Sequence, residues 1–160
     1  MNSKIRIREL KEINVHKGYL IDGFPSSGIS NAIATESMIN TSKFDLVGVI
    51  DSNNFPPISI IKNGKPNYPT RIFANEELKV SIFQSHLKIK ESLQREIAET
   101  MLEWAKKHKI ELIVSSITIK STNKTKDIFA VGNTKFAREK LENTKLKSFE
   151  NGIIPGIPGI

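Results

Sequence analysis

The sequence predicts an α/β domain built on a mixed, mostly parallel sheet that carries one β-hairpin. Three stretches lead to that reading. Residues 18–50 run as strand, glycine-bearing loop, helix and apolar strand; a strongly periodic helix ending near Lys107 feeds another apolar strand at residues 110–114; and Asn63-Gly64 separates two strand-like runs. Asn and Gly both tolerate positive φ, so this dipeptide suits a two-residue hairpin turn.

Taken in order, residues 4–8 alternate charged and apolar side chains, the period of a strand with one solvated face. Residues 18–22 form the next strand and run into Gly23-Phe24-Pro25-Ser26-Ser27-Gly28-Ile29-Ser30. A helix follows, capped by Ser27 or Ser30, with Ile29, Ile33, Met38 and Ile39 expected on its buried side and Asn40-Thr41-Ser42 closing it. Residues 45–50 are almost wholly apolar, as in a strand covered on both faces. After Pro56 and Pro57 a strand at residues 58–62 reaches the Asn63-Gly64 turn. Its return strand is expected around residues 70–73, beyond the interrupting Pro66 and Pro69.

Residues 78–83 supply a further strand. In the helix that follows, Leu93, Ile97, Met101, Trp104 and Ala105 form one stripe, which makes Trp104 a core residue. The Glu91–Arg95 and Glu103–Lys107 pairs add only about 0.2–0.5 kcal/mol each, so burial of the stripe must hold the helix. With the strand at residues 110–114 it completes a second β-α-β unit, whose crossover is expected to be right-handed. Residues 121–126 are polar enough for an exposed loop, residues 128–131 read as a short strand, and Thr134 caps a helix through Phe136, Ala137 and Leu141. The last residues, 152–160, are apolar and punctuated by glycine and proline, so the single domain over residues 1–160 is expected to be incomplete at its C-terminal end.

Composition narrows the chemistry. The 160 residues suffice for one core without disulfides or a structural metal. There is no cysteine, which excludes thiol nucleophiles, zinc–thiolate sites and iron–sulfur clusters. His16, His86 and His108 lie far apart without metal-ligand spacing, and no cofactor motif is intact. Neither a signal peptide nor a run of about 20 apolar residues is present, so a cytoplasmic chain with no membrane partner is expected. The net charge of +7 invites a nucleic-acid reading. The lysines are dispersed, however, and the densest tract, Lys106-Lys107-His108-Lys109, complements a helix C-terminus, so nucleic acid is not the expected partner.

The 23–30 loop has the glycine spacing and final serine of a P-loop, with Ile29 where the phosphate-reaching lysine belongs. Gly23, Ser26, Ser27, Gly28 and Ser30 are a candidate anion-binding loop on the strength of backbone N–H groups and hydroxyls at a helix start. The competing reading, favoured by the missing lysine, is that the glycines serve backbone geometry and the serines cap the helix. Asp22 and Asp51 each follow a strand; if those strands are neighbours their carboxyls could form an acid–base pair, which His86 could join. Turn formation by both aspartates is the simpler account. Phe55, Pro56 and Pro57 are candidate protein-contact residues, because prolines restrict the unbound loop and an aromatic can anchor, although Phe55 packed in the core is equally compatible. Arg71 joins them as a candidate contact residue and is expected to pair with a carboxylate.

The segments Leu20-Ile21-Asp22-Gly23-Phe24-Pro25-Ser26-Ser27-Gly28, Leu46-Val47-Gly48-Val49-Ile50-Asp51-Ser52, Phe55-Pro56-Pro57, Asn63-Gly64-Lys65-Pro66, Arg71-Ile72-Phe73 and Gly152-Ile153-Ile154-Pro155-Gly156-Ile157-Pro158-Gly159 occur in one order over nearly the whole chain. Together they resemble the archaeal proteasome assembly chaperone family of the chaperone-two type. The resemblance implies a three-layer α/β/α domain similar to nucleoside phosphorylases, without an established catalytic site or cofactor. It also implies an oligomeric scaffold whose partners are proteasome α-subunits. The chain departs from the family pattern at Gln84-Ser85-His86, where an acidic residue is common, and at Ser115-Ser116-Ile117-Thr118, where glycines are common. Family members usually continue through further helices, some to a proteasome-docking tail, and neither is carried over here.

Two functions therefore stand against each other. A non-catalytic scaffold for α-ring assembly accounts for the missing lysine and the ordered motifs. A nucleoside-phosphorylase-like enzyme would bind phosphate at the 23–30 loop and move protons through Asp22, Asp51 or His86. The enzyme needs a cation converging on that loop, for which Arg71 is the available candidate. The scaffold is the expected function.

Overall fold

A computed structural model describes residues 5–26, 29–119 and 127–160. The chain divides into two compact units, Met1–Thr118 with Pro155–Ile160, and Ile119–Ile154. The first contains β1 (Arg6–Glu9), β2 (Tyr19–Gly23), α1 (Ser30–Thr41), β3 (Asp45–Asp51), β4 (Ile60–Lys62), β5 (Lys65–Asn67), β6 (Thr70–Asn75), β7 (Val80–Ser85), α2 (Glu91–Lys107), β8 (Leu112–Val114) and a 3-10 turn at Ile157–Gly159. Six strands form one sheet in the order β1-β3-β6-β7-β2-β8. Strand β2 is parallel to both neighbours, while the β6–β7, β3–β6 and β1–β3 ladders are antiparallel. Hence β2, β3, β7 and β8 run one way and β1 and β6 oppose them: the sheet is mixed, as the sequence implies, but three of its five ladders are antiparallel where mostly parallel pairing is expected, because β6 inserts between β3 and β7.

Side-chain alternation along β2 places a helix on each face. Asp22 is the register partner of Phe83 in the β2–β7 ladder, and Phe83 meets Trp104 of α2 edge-on, with ring centroids 5.6 Å apart. The next residue, Gly23, faces the opposite way, toward Thr35 of α1. This is the three-layer α/β/α arrangement. The α2 layer is conventional: Leu93, Ile97, Ala98, Met101, Trp104 and Ala105 are buried, and they share a core with Leu20, Ile50, Ile72 and Phe83. Burying such a stripe contributes about 1.5–3 kcal/mol for each large side chain, which outweighs the surface ion pairs.

The α1 layer reverses the expectation for Ile29 and Ile33, while Met38 and Ile39 are half-buried. Its buried residues are Asn31 and Thr35, whereas Ile29 and Ile33 are 64% and 61% exposed. The reason lies underneath. Beneath Thr35 and Glu36 that face presents Gly23, Gln84 and Arg71 at the carboxyl end of the sheet, while Ile82 and Phe73 share the same face by alternation. A methyl group at Gly23 would lie 2.6 Å from the Phe83 carbonyl oxygen and 2.7 Å from Thr35 Oγ1, so α1 needs the glycine to come this close.

The hairpin is also paired differently from expectation. Asn63 and Gly64 have φ of 53° and 73°, as the turn requires. The return strand, however, is β5, which contains Pro66, and β4 and β5 form a separate two-stranded ribbon. A ribbon has free edges on which a proline costs no ladder bond. Residues 70–75 belong instead to the main sheet as β6, buried at every position between β3 and β7.

The second unit holds β9 (Phe129–Ala130), α3 (Lys135–Glu142) and β10 (Lys147–Ser148), with β9 and β10 parallel. Thr134 caps α3 as the sequence suggests, its hydroxyl accepting from the Ala137 N–H at 3.1 Å. The polar tract at residues 121–126 lies outside the described residues.

Helix α2 ends in a Schellman motif whose left-handed residue is Lys109, at φ 52°. Ile110 N–H donates to the Ala105 carbonyl at 2.8 Å and Lys109 N–H to the Lys106 carbonyl at 3.2 Å. That position favours glycine. Lys109→Gly relieves left-handed strain of about 1–2 kcal/mol at some cost in unfolded-chain entropy, so a net stabilisation of about 0.5–1 kcal/mol is expected in thermal or denaturant melts. Unchanged or lowered stability would show that the lysine side chain contributes more here than its backbone costs.

Candidate functional site

The carboxyl ends of β2, β3, β7 and β8 share one edge of the sheet, where open α/β folds place their crevices. At its centre stands Asp22, 2% exposed. Its Oδ1 accepts the Phe24 N–H at 2.9 Å, an Asx turn that starts the 23–30 loop, and its Oδ2 accepts the Ser115 hydroxyl at 2.6 Å. Burial raises the Asp22 pKa, and those two hydrogen bonds oppose the rise.

Ser115 opens a seam of hydroxyls that runs from the end of β8 to α1. Ser116 Oγ bonds to Asn31 Oδ1, while Asn31 Nδ2 reaches the Phe24 carbonyl at 3.4 Å. Ser30 Oγ and Thr118 Oγ1 are 2.8 Å apart. Strand β8 lies beside β2, so residues leaving β8 meet residues leaving β2. Sequence reasoning missed Ser115, Ser116, Thr118 and Asn31 as partners. The available signal was a run of hydroxyl residues directly after an apolar strand.

This seam decides how the 23–30 loop is built. The helix N-cap is Ile29, which makes no side-chain cap bond, so the cap expected from Ser27 or Ser30 is not formed by Ser30; Ser27 and Gly28 lie outside the described residues. The Ser30 hydroxyl is engaged with Thr118 and the Phe24 N–H with Asp22. Among the described residues no lysine or arginine side chain hydrogen-bonds to the loop, and Asp22 places a carboxyl of the chain's own where an external anion would seek donors. Ser26 is half-buried, and Gly23 serves the close approach of α1.

The expected carboxylate pair is not assembled. Strands β7 and β6 stand between β2 and β3, so Asp22 and Asp51 are three strand spacings apart, about 14 Å at about 4.8 Å each. Asp51 is exposed and its Oδ1 accepts its neighbour's N–H, that of Ser52, at 2.9 Å. His86 joins neither aspartate. Its Nε2 lies 3.5 Å from the Arg71 guanidinium and 4.0 Å from Glu36 Oε2, and burial lowers its pKa against the pull of Glu36.

Arg71 differs from expectation in partner and in exposure. It is 6% exposed, donates to Gln84 Oε1 at 2.9 Å, and lies over the Phe73 ring at 5.1 Å from the centroid. An amide, not a carboxylate, is its hydrogen-bond acceptor, and Gln84 Nε2 in turn donates to Glu36 Oε2 at 3.4 Å. Arg71 therefore ties the sheet to α1 through Gln84 and Glu36.

Phe55, Pro56 and Pro57 lie in the loop after β3. Phe55 is half-buried against the core, and the two prolines are exposed. Phe55 and Pro56 line an apolar groove of about 220 Å³ with Ile89 and Leu93, flanked by Lys88 and Lys90. The Phe55 ring thus rests on the core and borders the groove. Among the described residues no group of three or more acidic or histidine side chains could hold a metal ion, and no helix is long and apolar enough to cross a membrane.

Residues 20–160 match the model of the PAC2 family. An uncharacterised protein of Methanocaldococcus jannaschii is 24% identical over 159 residues, which cover 99% of this chain and 65% of that protein. The crystal structure of Pyrococcus furiosus PbaA, an archaeal homologue of proteasome-assembly chaperone, superposes with a TM-score of 0.83 at 25% identity, covering 97% of this chain and 67% of PbaA. Pyrococcus furiosus PbaB, an archaeal proteasome activator, shares the fold with a TM-score of 0.73 at 16% identity over 98% of this chain and 72% of PbaB. This chain thus spans about two thirds of the length of the first two proteins.

The buried carboxyl gives a pH signature. Because the folded state raises the Asp22 pKa above its ordinary 3.8, the folded chain holds this proton more tightly than the unfolded chain. The contribution is complete below the ordinary value and is lost as pH rises through the raised one. Asp22→Asn retains an acceptor for Phe24 N–H and a partner for Ser115, but carries no charge to bury. Thermal melts should show wild type losing stability relative to the variant between acidic and neutral pH, with the gap closing at acid pH. A pH-independent gap would contradict the assignment.

Proposed function

The chain belongs to the PAC2 family, and from that premise we propose that it is a non-catalytic, cytoplasmic scaffold that assists assembly of proteasome α-subunits and works as a homo-oligomer. The observation that carries the proposal is the superposition on PbaA over 97% of the chain. The carboxyl edge supports it. Asp22 is bonded to Ser115 and Phe24, Asn31 to Ser116, and Ser30 to Thr118, so these polar groups stabilise loop geometry and are not left free for a substrate. In this reading the 23–30 loop serves the fold, and contact with the partner falls to the exposed loop at Phe55, Pro56 and Pro57. Restricted proline backbones lower the ordering cost of binding there.

Self-association has its own candidate surface. Helix α1 turns Ile29 and Ile33 outward, and its Glu36 is bridged at 3.6 Å by Lys62 of the β4–β5 ribbon, which itself exposes Ile61. Exposed apolar side chains grouped on neighbouring elements mark association surfaces.

Size-exclusion chromatography with light scattering, on the chain alone and mixed with the source organism's proteasome α-subunits, tests both parts. A discrete mixed complex of defined mass is the expected result; co-injection that leaves both elution positions unchanged would sink the scaffold reading. For the chain alone, a mass above one protomer is expected, and Ile33→Glu should reduce it without unfolding, since that side chain is 61% exposed. An Ile33→Glu chain with the wild-type mass would remove α1 from the interface.

A further inference from the structure

The groove beside Phe55 is formed at the carboxyl edge of the sheet by the loops that follow β3 and β7. Its floor is rigid, since Ile89 and Leu93 are core residues, 6% and 4% exposed. Its rim is cationic. Lys88 and Lys90 are exposed and take part in no ion pair among the described residues.

The rim coincides with the start of α2. Lys90 is the N-cap of that 17-residue helix, extended at φ −61° and ψ 145°, and makes no side-chain cap bond. A lysine there sets a cation beside the positive end of the helix and offers first-turn N–H groups no side-chain acceptor, although Leu93 N–H donates to the Lys90 carbonyl at 2.9 Å. Glu91 is the one acidic residue of the first turn. An apolar cavity, two ammonium groups with no ion pair among the described residues and a helix end without a side-chain cap thus converge on one spot. An apolar group beside a carboxylate complements both features, and a basic occupant would be repelled.

We propose that this groove docks a short segment of a partner protein in which an apolar side chain stands next to a carboxylate. The apolar side chain fills the space between Phe55, Pro56, Ile89 and Leu93, and the carboxylate faces Lys88, Lys90 and the first turn of α2. The apolar anchor supplies affinity, while the cations supply register and association rate. The inference rests on the scaffold reading, with the proteasome α-subunits as the proteins that carry the segment.

The test uses the full chain. Titration of α-subunits into wild type, Lys88→Glu/Lys90→Glu and Lys90→Asp is expected to show binding weakened about tenfold or more in both variants, and wild-type binding that weakens with added salt. Lys90→Asp supplies the capping carboxylate within the chain, so it should also raise the melting temperature of the free protein, which separates lost binding from misfolding. Wild-type affinity in both variants would overturn the groove and leave the scaffold standing. A change in the mass of the chain alone in the double variant, with α-subunit binding intact, would make the groove a contact between copies and overturn the proposal. If wild type ignores the α-subunits, the scaffold reading fails. The groove is then decided by a blocked tetrapeptide with leucine beside glutamate, compared with its glutamine counterpart. Amide shifts at Lys88, Ile89 and Lys90 with the glutamate peptide and not the other support the groove, and their absence overturns it.

Discussion

Two adjacent residues of β2 hold the architecture together. Asp22 faces the α2 layer and Gly23 the α1 layer, and each needs its identity for a different reason. The carboxyl of Asp22 joins β2 to the segment leaving β8 through Ser115, and starts the following loop through the Phe24 N–H. The missing side chain of Gly23 lets Thr35 sit against the backbone of β7 and β2. Because β2 lies between β7 and β8 in the parallel part of the sheet, moving either residue would shift both layers and the carboxyl edge.

The two layers are stabilised differently. Helix α2 follows ordinary amphipathic logic, with Trp104, 2% exposed, against Phe83. Helix α1 is positioned by hydrogen bonds to other elements, Asn31 to Ser116 and Phe24 and Glu36 to the Gln84 amide that also holds Arg71, with Met38 and Ile39 half-buried beside them, while the buried Thr35 hydroxyl is satisfied within the helix by the Asn31 carbonyl at 2.8 Å. A net contribution near 1 kcal/mol per hydrogen bond is smaller than that of a buried leucine, but leaving one of these buried groups unpaired costs about 1–3 kcal/mol. The polar layer is therefore specific in register even though it adds little net stability. It also explains how α1 keeps its place with two isoleucines turned to solvent.

Legibility in the sequence followed the kind of force involved. Features set by local conformation or by periodic burial could be read directly: the Asn63-Gly64 turn, the Thr134 cap, the stripe from Leu93 to Ala105. Features set by strand order could not. Asp22 and Asp51 occupy equivalent strand ends, yet β7 and β6, which come later in the chain, insert between them. The same insertion turned residues 70–75 from a hairpin return into a central strand. Ile29 and Ile33 follow apolar helix spacing yet face solvent, and nothing local tells that the sheet beneath Thr35 and Glu36 offers Gly23, Gln84 and Arg71. Phe55-Pro56-Pro57 lay between these cases, since its composition marked an exposed binding loop but the groove depends on Ile89 and Leu93 from a distant segment.

Helix α2 departs from local rules at both ends, and the two departures are not equivalent. At its C-terminus Lys106 and Lys107 suit the helix dipole, and the strain is confined to the backbone of Lys109. At its N-terminus the backbone is relaxed and the chemistry is wrong, with a lysine where an acceptor side chain would satisfy first-turn N–H groups. A conformational penalty next to a well-formed hydrogen-bond pattern needs nothing further to account for it. An electrostatic mismatch beside an apolar groove is a different matter, because an anion brought to the groove would offset it. Sequences that otherwise agree with their fold tend to break a local rule where a binding function requires it. By that criterion the start of α2, more than the incomplete P-loop pattern, is the part of this chain shaped for something outside it.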